Sequence, residues 1–487
     1  MRLAAQHHAF FGEHQGPAGP VKKFNAKLTL KFSDLLGHCG LRETEPYSRR
    51  GKRALVGSSK KRFILSEAAR AELISDRRHL HAHPEEGWCE FETTWFIVQR
   101  LKALGLTVKA GIDVIEPAAV MGRNPALVEA AQKRAASHGV PEDFIASLKG
   151  YTGAMAVCET GRPGPVTALR FDIDSLPIEE TEAPEHEANQ GHYRSEYKGF
   201  SHACGHDSHT AVGLALARWI SENRDQLKGT VKILFQPAEE GVRGAAAMAA
   251  KGIVDDVDWF AGGHIGCSAP LGEVGVSHFG YLATTKFDLE LFGTAAAAGS
   301  PEKGKSALMC AAALCMSLGS LPGHSQGITR VQIGKLISGT GRNIVADHAY
   351  MQLEVRGETT EINDYMAKNV EQTVAGLAQA YGVRAQLTRM GEAVTYKGDE
   401  EAVELLKACA AEVPGVKSVV DMNAKIGSED CTMLIRRVQE HGGKAAFCYY
   451  GCNHHGHHRS DFCIQDEVSL PIGWGVFARF INRINGI

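Results

Sequence analysis

The chain has 487 residues, 44% hydrophobic and 22% charged, with 12 cysteines and a formal net charge of −3. That balance excludes a mostly disordered chain, a collagen-like fibre and a disulfide-stapled scaffold. No run reaches the ~18 uninterrupted apolar residues of a membrane span, and the slight acidity argues against a nucleic-acid binder.

The length implies two or three domains. The first 62 residues carry thirteen Lys and Arg against four Asp and Glu, a net +9 that leaves −12 for the remainder. With GPAGP, paired basic residues and no sustained period, residues 1–63 read as a basic, poorly ordered leader. Order is expected from Ile64 onward. Residues 66–104 read as helical, with RRHLHAHPEEG in their middle and a C-cap at Gly105, and 118–149 read as an inserted helical hairpin. VTALRFDID (166–174), TVKILF (230–235) and WFAGGHI (259–265) are short β-rich runs, and HTAVGLALARWI (209–220) lies as a helix between the first two. That alternation predicts a βαβ-layered sheet.

From residue 286 the pattern changes. TKFDLELFG alternates strictly, as a strand with one wet face does. A helix at 305–317, strands near 328–337 and 348–356, a helix at 361–381 and a strand at 383–389 follow. This β-α-β-β-α-β order is that of the split βαβ sandwich. The fold class is therefore α/β: a mixed-sheet catalytic domain with helices on both faces (64–283 and 393–487), interrupted by a ferredoxin-like α+β domain (284–392). The free edge of that insertion invites pairing with a second copy or a related subunit. The catalytic domain resumes with a helix at 399–412, the strand AAFCYYG and a closing helix.

The densest set of soft donors is His202-Ala203-Cys204-Gly205-His206-Asp207-Ser208-His209, a thiol and several imidazoles where a loop enters a helix. Glu239 and Glu240 follow strand TVKILF directly, His264 closes WFAGGHI, and His454-His455-Gly456-His457-His458 lies just past AAFCYYG. Ligands of open α/β sheets gather outside the carboxyl ends of the strands, so four loops deliver His, Cys or Glu to one rim. Of two adjacent glutamates, one can bind a cation while its neighbour moves the proton of the attacking water. Asp172 and Asp174 are expected behind the ligands, orienting an imidazole. The remaining cysteines show no CxxC or zinc-ribbon spacing and fit reduced thiols of a cytoplasmic protein.

HACGHDSH, FQPAEEG, RFDIDSLPIEE, RRHLHAHPEEG and GSED together resemble the dimetal aminoacylase and carboxypeptidase superfamily, in its branch with indole-acetyl-amino-acid hydrolases and bacterial amidohydrolases. The helical insert with VMGRNP, then TTKFDLELFGTAA and GTGRNIVADHA, is similar to members of that branch that cleave p-aminobenzoyl-glutamate. The resemblance implies an amidohydrolase with two divalent ions per subunit, Mn or Zn, that acts on a small N-acyl or N-aroyl amino acid. By position it implies Cys204, His206, Glu240, His264 and His458 as metal ligands, with His457 the alternative for the last, and Glu239 as general acid and base. It also implies Asn343 and Arg356 near the substrate carboxylate, and an inserted domain that serves as lid and dimer contact. In the family a turn of this domain carries a histidine that polarises the substrate carbonyl across the dimer, and Ala297 stands in its place here. Two alternatives stay open: the same metal site acting on another N-acyl amino acid or an aromatic amine, and a non-catalytic partner subunit. The retention of Glu239 beside a complete ligand set favours the enzyme.

Overall fold

A computed structural model describes residues 63–423 and 427–487. Apart from Phe63, the leader expected over 1–63 lies outside these. Ser66 caps α1 (Glu67–Ala82), accepting from the backbone N–H of Ala69 at 3.2 Å. Helix α2 (Phe91–Ala103) and strand β1 (Thr107–Ala110) follow. The expected hairpin is α3 (Pro125–Ser137) and α4 (Glu142–Ser147), with Asn124 as N-cap and Pro125 opening the first helix.

Strands β2 (Ala154–Glu159) and β3 (Val166–Asp172) lead into α5 (His206–Glu222), then β4 (Thr230–Gln236), β5 (Trp259–Ile265) and β6 (Glu273–Ser277). The insertion holds β7 (Ala283–Phe292), α6 (Ala307–Gly319), β8 (Thr329–Ser338), β9 (His348–Gly357), α7 (Thr360–Tyr381) and β10 (Arg384–Ala393). The chain ends with α8 (Glu400–Ala411), β11 (Ser418–Asp421), α9 (Cys431–Glu440), β12 (Lys444–Tyr450) and α10 (Asp466–Asn485).

The main sheet has eight strands in the order β1-β2-β4-β3-β5-β12-β6-β11, and β4, β3, β5 and β12 run parallel to one another. These central strands are buried on both faces, which is why they read as continuous apolar runs. Along β3, Leu169 and Phe171 enter one hydrophobic core with α5 and α10, while Ala168 enters a second core that includes α3 and α9. The inserted strands form a separate antiparallel sheet in the order β8-β9-β7-β10. That is the split βαβ arrangement expected from the element order. Its buried face sets Phe287, Leu289 and Leu291 against α6 and α7, and Lys286, Asp288 and Glu290 line the opposite face. Among the described residues no helix is long and apolar enough to cross a membrane.

Candidate active site

The parallel strands β3, β4, β5 and β12 end on one rim, and each loop that leaves it carries a candidate donor. Gly205 enters α5 with φ +87°, and a Cβ there would lie 2.6 Å from Ile265 Cγ2. Only glycine lets the chain turn this close to β5 with Cys204 and His206 on either side.

The ligand atoms of Cys204, His206 and His264 lie within 4.8 Å of one another, as do those of Cys204, Glu240 and His458 and those of His206, Glu239 and Glu240. Cys204 belongs to the first two groups, so they meet at its sulfur. A cavity of about 540 Å³ opens beside them, lined in part by Cys204, Glu239, Glu240, His264, His457 and His458. His206 sits beneath it, fully buried.

A neutral imidazole has one donor and one acceptor nitrogen, so the partner of one fixes the use of the other. His264 Nδ1 donates to the Ile265 carbonyl at 2.8 Å, and Nε2 lies 3.5 Å from Cys204 Sγ. His206 Nδ1 donates to Asp174 Oδ1 at 3.1 Å, while its buried Nε2 makes no hydrogen bond, and neither does the buried Oε1 of Glu240. These two orphaned atoms face the same group of donors, as cation ligands would. His457 is differently engaged: its Nε2 accepts the Cys267 backbone N–H at 3.0 Å, and Nδ1 lies 3.5 Å from Cys204 Sγ. His458 instead directs Nε2 to within 3.4 Å of Glu240 Oε1.

His209, the third imidazole of HACGHDSH, has both nitrogens engaged elsewhere: Nδ1 bonds to Asp172 Oδ1, and Nε2 accepts the Ile265 backbone N–H at 2.8 Å. The segment therefore offers Cys204 and His206 to the cluster and uses His209 to tie α5 to the end of β5.

Glu239 is 8% exposed, with Oε2 4.0 Å from His206 Nε2. Burial, and then the neighbouring carboxylates of Glu429, Glu240 and Asp430, push its pKa well above the usual carboxylate range. Burial and the Glu240 carboxylate likewise push the Cys204 thiol up. Carboxylates crowd around the site, and thiol, imidazole and carboxylate donors together suit divalent metal cations. Beneath the site, fully buried Arg170 pairs with Asp172 at 2.8 Å and with Glu429 and Asp430 at 3.0 Å. Sequence reasoning assigned nothing to Arg170 or Glu429. The signal was an arginine inside the apolar run VTALRFD, since a charge in a core strand requires buried partners.

Val242, Cys267, Tyr281 and His458 line the cavity with φ between 55° and 60°, and Ala238, next to Glu239, has φ 51°. Left-handed backbone at non-glycine residues is costly and here clusters at the site.

Of the two residues expected at the substrate carboxylate, Arg356 lines the cavity and Asn343 does not. Asn343 is exposed on the inserted domain, where its carbonyl accepts the Ala298 N–H at 2.9 Å. Ala297, also exposed, pairs with Ile344 in the same short ladder.

Comparison with known proteins agrees with this geometry. The model of peptidase family M20/M25/M40 matches residues 168–483. The chain is 41% identical to a Haemophilus influenzae protein named as a homolog of one p-aminobenzoyl-glutamate hydrolase subunit, over 85% of this chain and 98% of that protein. It is 40% identical to the indole-3-acetyl-aspartic acid hydrolase of Enterobacter agglomerans, over 82% and 92%. The crystal structure of an aminobenzoyl-glutamate utilization protein from Klebsiella pneumoniae superposes with a TM-score of 0.73 at 35% identity, over 89% of this chain and 98% of that one. With its family model spanning most of the chain and relatives this similar along nearly their whole length, the protein belongs to peptidase family M20/M25/M40 and is a metal-dependent amidohydrolase.

Proposed function

We propose that the chain hydrolyses the amide bond of an N-aroyl or N-acyl amino acid, with p-aminobenzoyl-glutamate the first substrate and p-aminobenzoate and glutamate the products. The observation that carries this reading is the place of Cys204 in two donor groups at once, with Glu239 beside both. Cys204, His206 and His264 would hold one divalent ion, and Cys204, Glu240 and His458 the second, Mn or Zn by donor type. His458 is preferred to His457 because the Nε2 of His457 already accepts a backbone N–H. When bound, such ions supply Lewis acidity, polarising the amide carbonyl and lowering the pKa of water.

Glu239 then takes a proton from the attacking water and returns it to the leaving amine, from a place beside both donor groups. Arg356 pairs with the substrate carboxylate. The names of the Haemophilus and Enterobacter relatives join an aromatic acyl group to an acidic amino acid, which supports the same pairing here. The eleven described cysteines are all free, which supports a reducing, cytoplasmic setting. In this reading Asn343 and Ala297 face the site of a second protomer, either another copy or a related chain. Ala297, which has no hydrogen-bonding side chain at that turn, favours a second reading, a non-catalytic partner subunit of a hetero-oligomeric hydrolase.

The test is hydrolysis by the chain loaded with Mn or Zn, using p-aminobenzoyl-glutamate and a panel of N-acyl amino acids. Release of p-aminobenzoate should require the metal and stop reversibly with a chelator. Failure to cleave any member of the panel overturns the reading.

A further inference from the structure

The cavity at the donor groups meets a second one, of about 350 Å³, at Gly241 and Lys286, which line both. The second cavity lies between Arg243 on the catalytic side and the open face of the inserted sheet, including Gln332, Gln352 and Glu354. Strict alternation along β7 puts Lys286 on that open face, opposite Phe287 and Leu289. Lys286 and Glu354 are directly paired across β7 and β9, with Nζ 3.5 Å from Glu354 Oε2. The other oxygen, Oε1, accepts from Arg356 Nε at 2.8 Å. One carboxylate therefore holds two cations side by side and leaves a net positive charge at the junction.

That charge is placed unlike any other around the site. Among the residues that line the main cavity, Lys286 and Arg356 supply the fixed positive charges, against Glu239, Glu240 and Glu429. The terminal amino groups of Arg356 make no hydrogen bond or ion pair among the described residues. A guanidinium fork suits one carboxylate bidentately, and an ammonium suits a second as a compact point charge. The adjoining cavity gives a substrate side chain room to reach Lys286.

We propose that Lys286 selects the leaving amino acid: the α-carboxylate pairs with Arg356, and a side-chain carboxylate, as in glutamate or aspartate, pairs with Lys286 where the two cavities meet. This rests on the amidohydrolase reading of the same site and adds the residue that sets the charge of its leaving group. A neutral amide of the same shape keeps a hydrogen-bond acceptor but loses the charge pairing.

The experiment compares p-aminobenzoyl-glutamate with p-aminobenzoyl-glutamine on the metal-loaded full chain, by kcat/KM and by calorimetric binding. The parent should favour the glutamate conjugate at least tenfold in both. Lys286→Met should reduce that ratio at least tenfold, Lys286→Arg should restore most of it, and Lys286→Glu should bring it below one. Competitive inhibition of the parent by free glutamate, at least tenfold stronger than by glutamine, checks the claim without any variant. Equal affinity for the two conjugates, or a ratio unmoved by Lys286→Met, overturns the role of Lys286. Cleavage of both conjugates without discrimination would sink only this inference. Cleavage of neither would remove p-aminobenzoyl-glutamate as the substrate, while calorimetry would still decide whether Lys286 senses the second carboxylate.

Discussion

His209 Nε2 accepts the backbone N–H of Ile265 at 2.8 Å, so a side chain on α5 fixes the last peptide of β5, next to His264. Asp172 at the end of β3 holds the other nitrogen of His209. Two elements that carry donors, α5 and β5, are thus locked to the end of β3 through one imidazole that is itself engaged at both ends. His209→Ala is expected to weaken metal affinity about 10- to 100-fold, the usual cost of losing a partner behind a ligand, while two ions still bind at saturation. Cys204→Ser should instead lose much of the bound metal even at high concentration, because both groups share its sulfur. Metal titration followed by elemental analysis separates the two outcomes, and equal behaviour of the two variants would remove Cys204 from its shared position.

Glu239→Gln keeps the size of the side chain and removes its ability to accept a proton. The variant is expected to bind metal as the parent does, because Cys204, His206, His264, Glu240 and His458 are untouched, and to lose kcat by about a thousandfold or more. Activity within a few-fold of the parent, measured on p-aminobenzoyl-glutamate with full metal loading, would return Glu239 to a structural role.

Much of this was legible in the chain because the central strands are buried on both faces. β3, β4, β5 and β12 appear as apolar runs between turn signals, and WFAGGHI coincides with β5 from end to end. Once those strands are placed, Cys204, Glu239, Glu240 and His264 fall on one rim by topology alone. β2, β6 and β11 were not legible: AMAVCE, EVGVS and SVVD are short, and their small or polar residues give neither a clean alternation nor an apolar run. The choice between His457 and His458 was hidden for another reason. Adjacent residues have the same local pattern and differ only in which nitrogen meets Cys267 N or Glu240. Lys286 was invisible as a site residue because its partner, Glu354, comes from a strand far along the chain.

His81 predicts a bell in stability against pH. Its Nε2 bonds to Glu180 Oε1 and its Nδ1 to Asp207 Oδ2, both at 2.8 Å and all buried. Burial and Arg77 oppose a charge on His81, yet the two carboxylates raise its pKa above 6.5. Burial also opposes a charge on Glu180, and the hydrogen bonds from His186 and His81 outweigh it, holding that carboxyl well below 4.5. A raised histidine stabilises fully below its unfolded pKa of 6.5 and loses that contribution as pH rises through the folded value. A depressed carboxylate stabilises fully above its unfolded pKa of 4.5 and loses that contribution as pH falls. Tm should therefore peak between about pH 4.5 and 6.5. His81→Gln should flatten the alkaline limb and Glu180→Gln the acid limb, each costing about 3–5 kcal/mol at the maximum, as breaking a buried pair does. Parallel limbs in parent and variants, by thermal melts across pH, would refute the assignment.

The last prediction joins Ala297 to the edge of the inserted sheet. β8 pairs with β9 alone, so its other side is free. Ile337 on β8 is 57% exposed, and Met309 and Met316 on neighbouring α6 are 53% and 77% exposed. An unpaired edge flanked by apolar side chains favours association with a second copy, most simply about a two-fold axis. The chain is expected to sediment as a dimer at micromolar concentration through residues 284–392, and Met316→Glu with Ile337→Lys should yield monomers. Ala297, exposed on the same domain, would then face a partner's cavity, where an imidazole donates to the developing oxyanion. Such a donor is worth roughly 3–4 kcal/mol, or about 100- to 1,000-fold in rate. Ala297→His should therefore raise kcat at least tenfold without changing metal content, and the gain should vanish in the monomeric variant. A monomeric parent, or a histidine that changes nothing in a dimer, would end the cross-subunit mechanism and move the partner-subunit reading ahead.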